Sequence, residues 1–265
     1  QISASAIALS KKFLPESAGS SENPPGLFQR LGSRTVVAAT VRAIQLLGRQ
    51  FVLGRSIEEA MGEAAGQKKA LSQLRFSYDM LGEGARTAAD AERYRQAYEQ
   101  AIHAIGQVAA GRGHLDGPGI SIKLSALHPR YARAQVERVR SELAPRLTGL
   151  AVLARRYNLG LNIDAEESER LDLSLDLLEQ LCHEPRLAGW NGLGFVIQAY
   201  QKRCPAVVDF VIDLARRSGR RLMVRLVKGA YWDGEIKRAQ ELGLPHYPVF
   251  THKQHTDVSY LACAR

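Results

Sequence analysis

Five polar side chains stand in short runs of otherwise apolar or small residues, and their types and spacing point to chemistry. Lys123, in SIKLSALHPRY at 121–131, is a cation that burial would penalise unless it met a carboxylate. That partner is either Asp164 or the carboxylate of a ligand, and a purely structural ion pair is the alternative. Asp164, in NIDAEE at 162–167, suits a general base or an anion holding Lys123 and Arg225 in place. The glutamates after it, Glu166, Glu167 and Glu169, read as the acidic first turn of a helix, where the helix dipole favours them. Gln198 offers a donor and an acceptor, suited to a heterocycle edge or to closing a buried hydrogen-bond network. In MVRLVKGAYWDGEIKR at 223–238, Arg225 and Lys228 end a strand-like run ahead of Gly229. A glycine there permits close backbone approach to a ligand, and the amides that follow open a helix N-terminus of the kind that binds phosphate. Lys123 and Lys228 are also the lysines that a Schiff-base lyase of the barrel type would use.

Other motifs are set aside. His252, His255 and Asp257 have too weak a spacing for a metal, and none is expected. The Gly-rich GRGHLDGPG at 111–119 precedes a strand, whereas a dinucleotide fingerprint follows one. No G-x-S-x-G elbow occurs. Cys182, Cys204 and Cys263 are scattered and form no C-x-x-C pair, so they read as inert, reduced packing thiols of a cytosolic protein.

The elements that must position these residues alternate. Strand-like segments at 75–80, 120–126, 159–165, 193–200 and 221–227 are separated by helical stretches near 87–110, 135–157, 168–182 and 205–217, with another at 233–242. Strands joined by helices are parallel. Because side chains alternate along a strand, Lys123 with Ser121, Asp164 with Asn162, Gln198 with Val196, and Arg225 with Met223 share one polar face. These polar groups lie toward the carboxyl ends of their strands, as Asp79 does. The class is α/β, and the inward polar register favours a (β/α)8 barrel of the TIM type over an open doubly wound sheet. Only the first five strand–helix units are expected here. Helices at 35–53 and 57–74 precede them, the second opened by a Ser56/Glu59 capping box. The expected organisation is an arm at 1–34, including a linker at 15–26, a helical segment at 35–74, and an incomplete barrel at 75–265.

With 265 residues, 45% apolar and 24% charged, the chain is long enough for a sizeable core and excludes disorder. No apolar run is long enough to span a bilayer. A net charge of +9 is compatible with an anionic ligand, an anionic membrane surface or nucleic acid. Without aromatic stacking platforms or a reading helix, nucleic acid is not expected. The start at Gln1, with no basic region ahead of its short apolar run, reads as a fragment boundary and not as a signal peptide.

The segments SYDMLGE at 77–83, SIKLSALHPRY at 121–131, NIDAEESERL at 162–171, GFVIQAYQKRCP at 194–205 and RLVKGAYWDGEIKRAQ at 225–240 are long and specific. Through them, from about residue 35 onward, the chain resembles the proline dehydrogenase domain of bacterial proline utilization A. The resemblance implies a distorted barrel with non-covalent FAD that oxidises L-proline to Δ1-pyrroline-5-carboxylate by hydride transfer to flavin N5, the first step of proline catabolism to glutamate. By the same resemblance, Arg225 approaches the flavin near N5, Asp164 orders the site, and Lys123 pairs with the substrate carboxylate. Ala165, Gln198, Val227, Lys228, Gly229, Ala230, Tyr231 and Trp232 then contact the cofactor, and Glu83 is a gate residue that pairs with an arginine. That arginine and the two-arginine motif for the substrate carboxylate have no counterpart in these residues. The resemblance further implies a quinone acceptor reached from the cytoplasm by peripheral association with the inner membrane face, and an aldehyde dehydrogenase domain in the parent protein. These 265 residues alone are expected to be inactive without a further C-terminal barrel segment, and the sequence leaves the oligomeric state open.

Overall fold

The computed structural model describes residues 37–44, 47–48 and 52–265. The expected arm at 1–34, with its linker, lies outside the described residues. The chain divides into two compact units between Ala70 and Leu71. In the first, residues 37–44 and 47–48 are helical and α1 spans Ile57–Ala70. The Ser56 hydroxyl accepts from the Glu59 amide, while the Glu59 carboxylate reaches past Ser56 to the Arg55 amide, one residue earlier than a regular capping box.

The second unit carries a five-stranded parallel sheet in the order β1 (Ser77–Asp79), β2 (Gly119–Ile122), β3 (Gly160–Ile163), β4 (Leu193–Gln198), β5 (Met223–Val227). Its crossovers include α2 (Ala88–Ala109), α3 (Ala144–Arg156), α4 (Leu171–Cys182) and α5 (Cys204–Ser218). After β5 come α6 (Trp232–Glu241) and α7 (Lys253–Ala264). α7 was not expected, because its polar, weakly periodic sequence KQHTDVSYLACA lacks the apolar stripe that marks a helix. Thr87 starts α2 with a full capping box, its hydroxyl taking the Asp90 amide and the Asp90 carboxylate returning to the Thr87 amide.

The strand phases divide the sheet as the alternation requires. Ile120, Ile122, Leu161, Ile163, Phe195 and Ile197 on one face are buried under the crossover helices, each fully buried side chain contributing about 1.5–3 kcal/mol. On the other face the register places Asp79, Ser121, Asn162, Gly194 and Met223 in one row, with Val196 beside Arg225 in the next. A side chain at Gly194 would collide with the Asn162 amide at 2.1 Å, so that row has space for one polar group and not two.

Two expectations need correction. β2 ends at Ile122, and Lys123 is the residue that opens a short helix, Leu124–Leu127, so Leu124 and Ser125 do not belong to the strand. The helical stretch at 135–157 is not uniform, because Val139–Leu143 widens into a π turn between Val136–Arg138 and α3.

Candidate active site at the carboxyl ends of the strands

Lys123 sits where β2 stops, and its backbone is fixed from behind. Its amide donates to the hydroxyl of Tyr98, which α2 buries completely. The ammonium projects onto the polar face and donates to Asp79 Oδ1 at 2.6 Å and Asp164 Oδ2 at 2.9 Å. Among the described residues, Glu83 Oε2 lies 3.9 Å from the same ammonium. The loop carrying Glu83 is held by Ser125, whose hydroxyl and carbonyl accept from the Gly84 and Ala85 amides.

Arg225 enters from β5. Its Nη1 lies 3.7 Å from Asp164 Oδ1 and donates to Ser121 Oγ at 3.0 Å, while Nη2 donates to Ser77 Oγ at 2.8 Å. Asp164 therefore stands between both cations with its side chain 13% exposed. Burial pushes its carboxyl above the ordinary aspartate range, against the opposing pull of Lys123. Burial opposes the charge on Lys123 as well, but its bonds to Asp79 and the charge of Asp164 outweigh this and hold it above the usual lysine range. Two cations face three carboxylates, and of the three ammonium hydrogens two are committed to Asp79 and Asp164.

The loops beyond the strands are stitched together by residues read as bland from sequence. Glu166 and Glu167 precede the helix instead of forming its first turn, since a 3-10 turn opens only at Ser168. Glu166 is buried, accepts from the Ser125 amide at 2.9 Å and pairs with Arg170 at 2.7 Å. Gln198 uses both ends of its amide, donating to the Glu166 carbonyl and accepting from the Ala230 amide. This is the network-closing arrangement, and it ties the loop after β3, which includes Ala165, to the loop after β5. Glu235 of α6, 2% exposed, accepts from both the amide and the hydroxyl of Ser168 at 2.5 and 2.6 Å. Asp79, Glu166 and Glu235 were missed as site-organising residues. Asp79 alone carried a signal, its position in the inward register.

At Gly229 the backbone adopts φ +132°, and a Cβ would meet the Tyr200 ring at 2.4 Å. Both facts require glycine, and the space beside it belongs to Tyr200. Lys228 Nζ bonds Asp257 of α7 at 2.6 Å, which takes that carboxylate out of any cluster with His252 and His255. No side chain caps α6, so its leading amides are left to other acceptors. Half-exposed Lys228 and Trp232, whose indole N–H donates to the Phe250 carbonyl, flank that helix start, a placement suited to a ligand with phosphates and a planar ring.

A parallel sheet flanked by crossover helices, with charged residues gathered at the carboxyl ends of its strands, defines a protein of the (β/α) barrel class. The chain belongs to the proline dehydrogenase family, whose model matches residues 62–265. It is 67% identical over 223 residues to the Bifunctional protein PutA of Escherichia coli (strain K12), a match covering 84% of this chain and 17% of that protein. To the Bifunctional protein PutA of Rhizobium meliloti it is 60% identical over 235 residues, 89% of this chain and 19% of the relative. The chain thus spans less than a fifth of the length of these relatives. Among solved structures, a mutant of Bradyrhizobium japonicum proline utilization A superimposes with a TM-score of 0.77 at 50% identity, over 98% of this chain and 27% of that one. Proline utilization A from Bdellovibrio bacteriovorus, inactivated by N-propargylglycine, gives 0.80 at 26% identity, over 88% and 25%.

Proposed function

We propose that this chain carries the site for FAD-dependent oxidation of L-proline to Δ1-pyrroline-5-carboxylate within a larger bifunctional enzyme. The observation that carries this reading is the Lys123–Asp164–Arg225 cluster at the strand ends, in a chain of the proline dehydrogenase family. FAD, when bound, would supply the hydride acceptor, flavin N5, for the oxidation of proline. The chain's own residues bind and orient. The third hydrogen of the Lys123 ammonium serves the substrate carboxylate, and Asp164 and Asp79 keep that ammonium aimed and charged. Arg225 holds a positive charge on the inner face, fixed by Ser77, Ser121 and Asp164, where it favours any negative charge that develops during the reaction. Gln198 sets the separation of the loops at Ala165 and at Val227–Trp232, and Lys228 with the uncapped start of α6 would hold the phosphates.

A Schiff-base lyase is disfavoured by the same geometry. An imine-forming lysine must lose its proton, whereas carboxylates hold both Lys123 and Lys228 above the usual lysine range. Beyond the site, the reading includes a quinone as final acceptor and peripheral docking of a cytoplasmic enzyme at the inner membrane face, supported by the +9 charge. Among the described residues no helix is long and apolar enough to cross a membrane.

The test is Arg225→Met in the full-length protein. Proline turnover should fall roughly 10²- to 10³-fold while KM changes by less than about threefold, because the charge acts mainly in the transition state. Equal losses in both would give Arg225 a binding role, and a reconstituted full-length protein showing no flavin absorbance after gel filtration would overturn the reading.

A further inference from the structure

Two of the three cysteines, far apart in sequence, meet in the fold. Cys204 is the first residue of α5 and Cys263 lies in the last turn of α7, yet their Sγ atoms are 3.5 Å apart. Cys204 is 1% exposed, whereas Cys263 is half-buried and the more accessible of the two. We propose that Cys204 and Cys263 form an oxidisable dithiol that hydrogen peroxide closes into a disulfide, clamping α7 to the start of α5.

The geometry assigns the two sulfurs different parts. Cys263 is the one a small oxidant reaches. Its thiolate attacks one peroxide oxygen, the O–O bond breaks, and the departing hydroxide takes a proton and leaves as water, so that Cys263 becomes a sulfenic acid. Cys204 then attacks the Cys263 sulfur, the S–O bond breaks, and a second water leaves with the Cys204 proton. Two thiols and one peroxide give one disulfide and two waters, each sulfur losing one electron and the peroxide gaining two. Burial, reinforced by the neighbouring thiol, pushes Cys204 up to about 12, so Cys263 and not Cys204 is the first site of attack, and Cys204 reacts second because its sulfur already lies beside the oxidised one. The sulfurs must close to about 2.05 Å, a movement on the scale of side-chain rotation at two facing helix ends.

The clamp has a route to the site. α7 packs on α5 and on β5, and it carries Asp257, which holds Lys228 directly after β5. Tethering α7 therefore fixes the anchor of a residue at the strand ends. Cysteine pairs that respond reversibly to oxidant are the usual form of disulfide in reducing compartments.

The experiment uses the full-length protein, treated with hydrogen peroxide, alkylated in denaturant and digested with trypsin without reduction. The expected product joins peptide 204–216 to peptide 254–265, lighter than their sum by two hydrogens and abolished by dithiothreitol, while Cys182 is recovered alkylated. In Cys204→Ser, Cys263 should be trapped as its sulfenic acid by dimedone. In Cys263→Ser, Cys204 should stay alkylatable after the same treatment. A dimedone adduct on Cys204 with Cys263 untouched, or peroxide carrying Cys263 to sulfinic acid in the unmutated protein without any joined peptide, overturns the proposal.

Discussion

Replacing Lys123 by methionine tests the charge balance of the site most directly. The ammonium neutralises Asp79 at 2.6 Å and Asp164 at 2.9 Å. Breaking a buried ion pair by removing one partner costs about 3–5 kcal/mol, because the other charge is left stranded. Asp79 is 42% exposed and can rehydrate, so its share falls to the size of a surface pair, about 0–1 kcal/mol. Asp164, 13% exposed, keeps only Arg225 at 3.7 Å, which returns part of the loss. The expected destabilisation is therefore about 2–4 kcal/mol, or a fall in Tm of roughly 2–4 °C for each kcal/mol. Adding Asp164→Asn to Lys123→Met removes the stranded charge, and the double variant should recover to within about 1–2 kcal/mol of the parent. The same lysine variant should weaken tetrahydrofuroic acid by roughly tenfold, less than loss of an unpaired cation would, because Lys123 is already shared between two carboxylates. Thermal melts and inhibition constants measured side by side decide the matter. A single variant melting within about 1 °C of the parent, or a double variant less stable than the single one, would refute the reasoning.

Asp164 should also set a pH dependence. Its carboxyl is raised, so the folded protein holds this proton more tightly than the unfolded chain, and its stabilising effect is present at low pH and lost as pH rises through the folded-state value. Protonation takes the five-charge cluster from one net negative charge to neutral, so tetrahydrofuroic acid should bind more tightly on acidification, and Asp164→Asn should flatten that profile. Gly229→Ala forces a Cβ into the Tyr200 ring at a φ of +132°; flavin occupancy, read by absorbance, should drop while the secondary structure seen by circular dichroism persists. Glu235→Leu strands the half-buried amide and hydroxyl of Ser168 and should cost about 1 kcal/mol in a urea melt, with Glu235→Gln recovering part of it.

The strands and their facing were legible because alternation is a local property: Ser121, Lys123, Asn162, Asp164 and Arg225 declare one face by spacing alone. Which of those charges meet was only half legible. Asp164 was one of two partners open to Lys123, the other being a ligand carboxylate, and although Asp79 shares the inward register, that register alone does not say that Lys123 returns to it 44 residues later. Glu166 was misread because acidic residues before a helix are usually solvated, and its burial is imposed by Ser125 and Arg170 from other segments. The pairing of Cys204 with Cys263 was invisible for the same reason, and α7 because its apolar positions carry little periodicity.

The hydrogen bond from Arg225 to Ser77 bears on how the chain folds. It joins the first strand of the sheet to the last, 148 residues apart, although three strands lie between them in the hydrogen-bonded order. A flat five-stranded sheet would hold its outer strands about four spacings of 4.8 Å apart, farther than a guanidinium reaches, so the sheet must curl for this contact to exist. Such a contact adds nothing until the whole sheet is assembled, because the entropy of closing so long a loop must first be met by the nearer strand pairings. Arg225 thus belongs to the interactions that form last and are broken first, contributing to the persistence of the assembled sheet and little to the speed of its assembly.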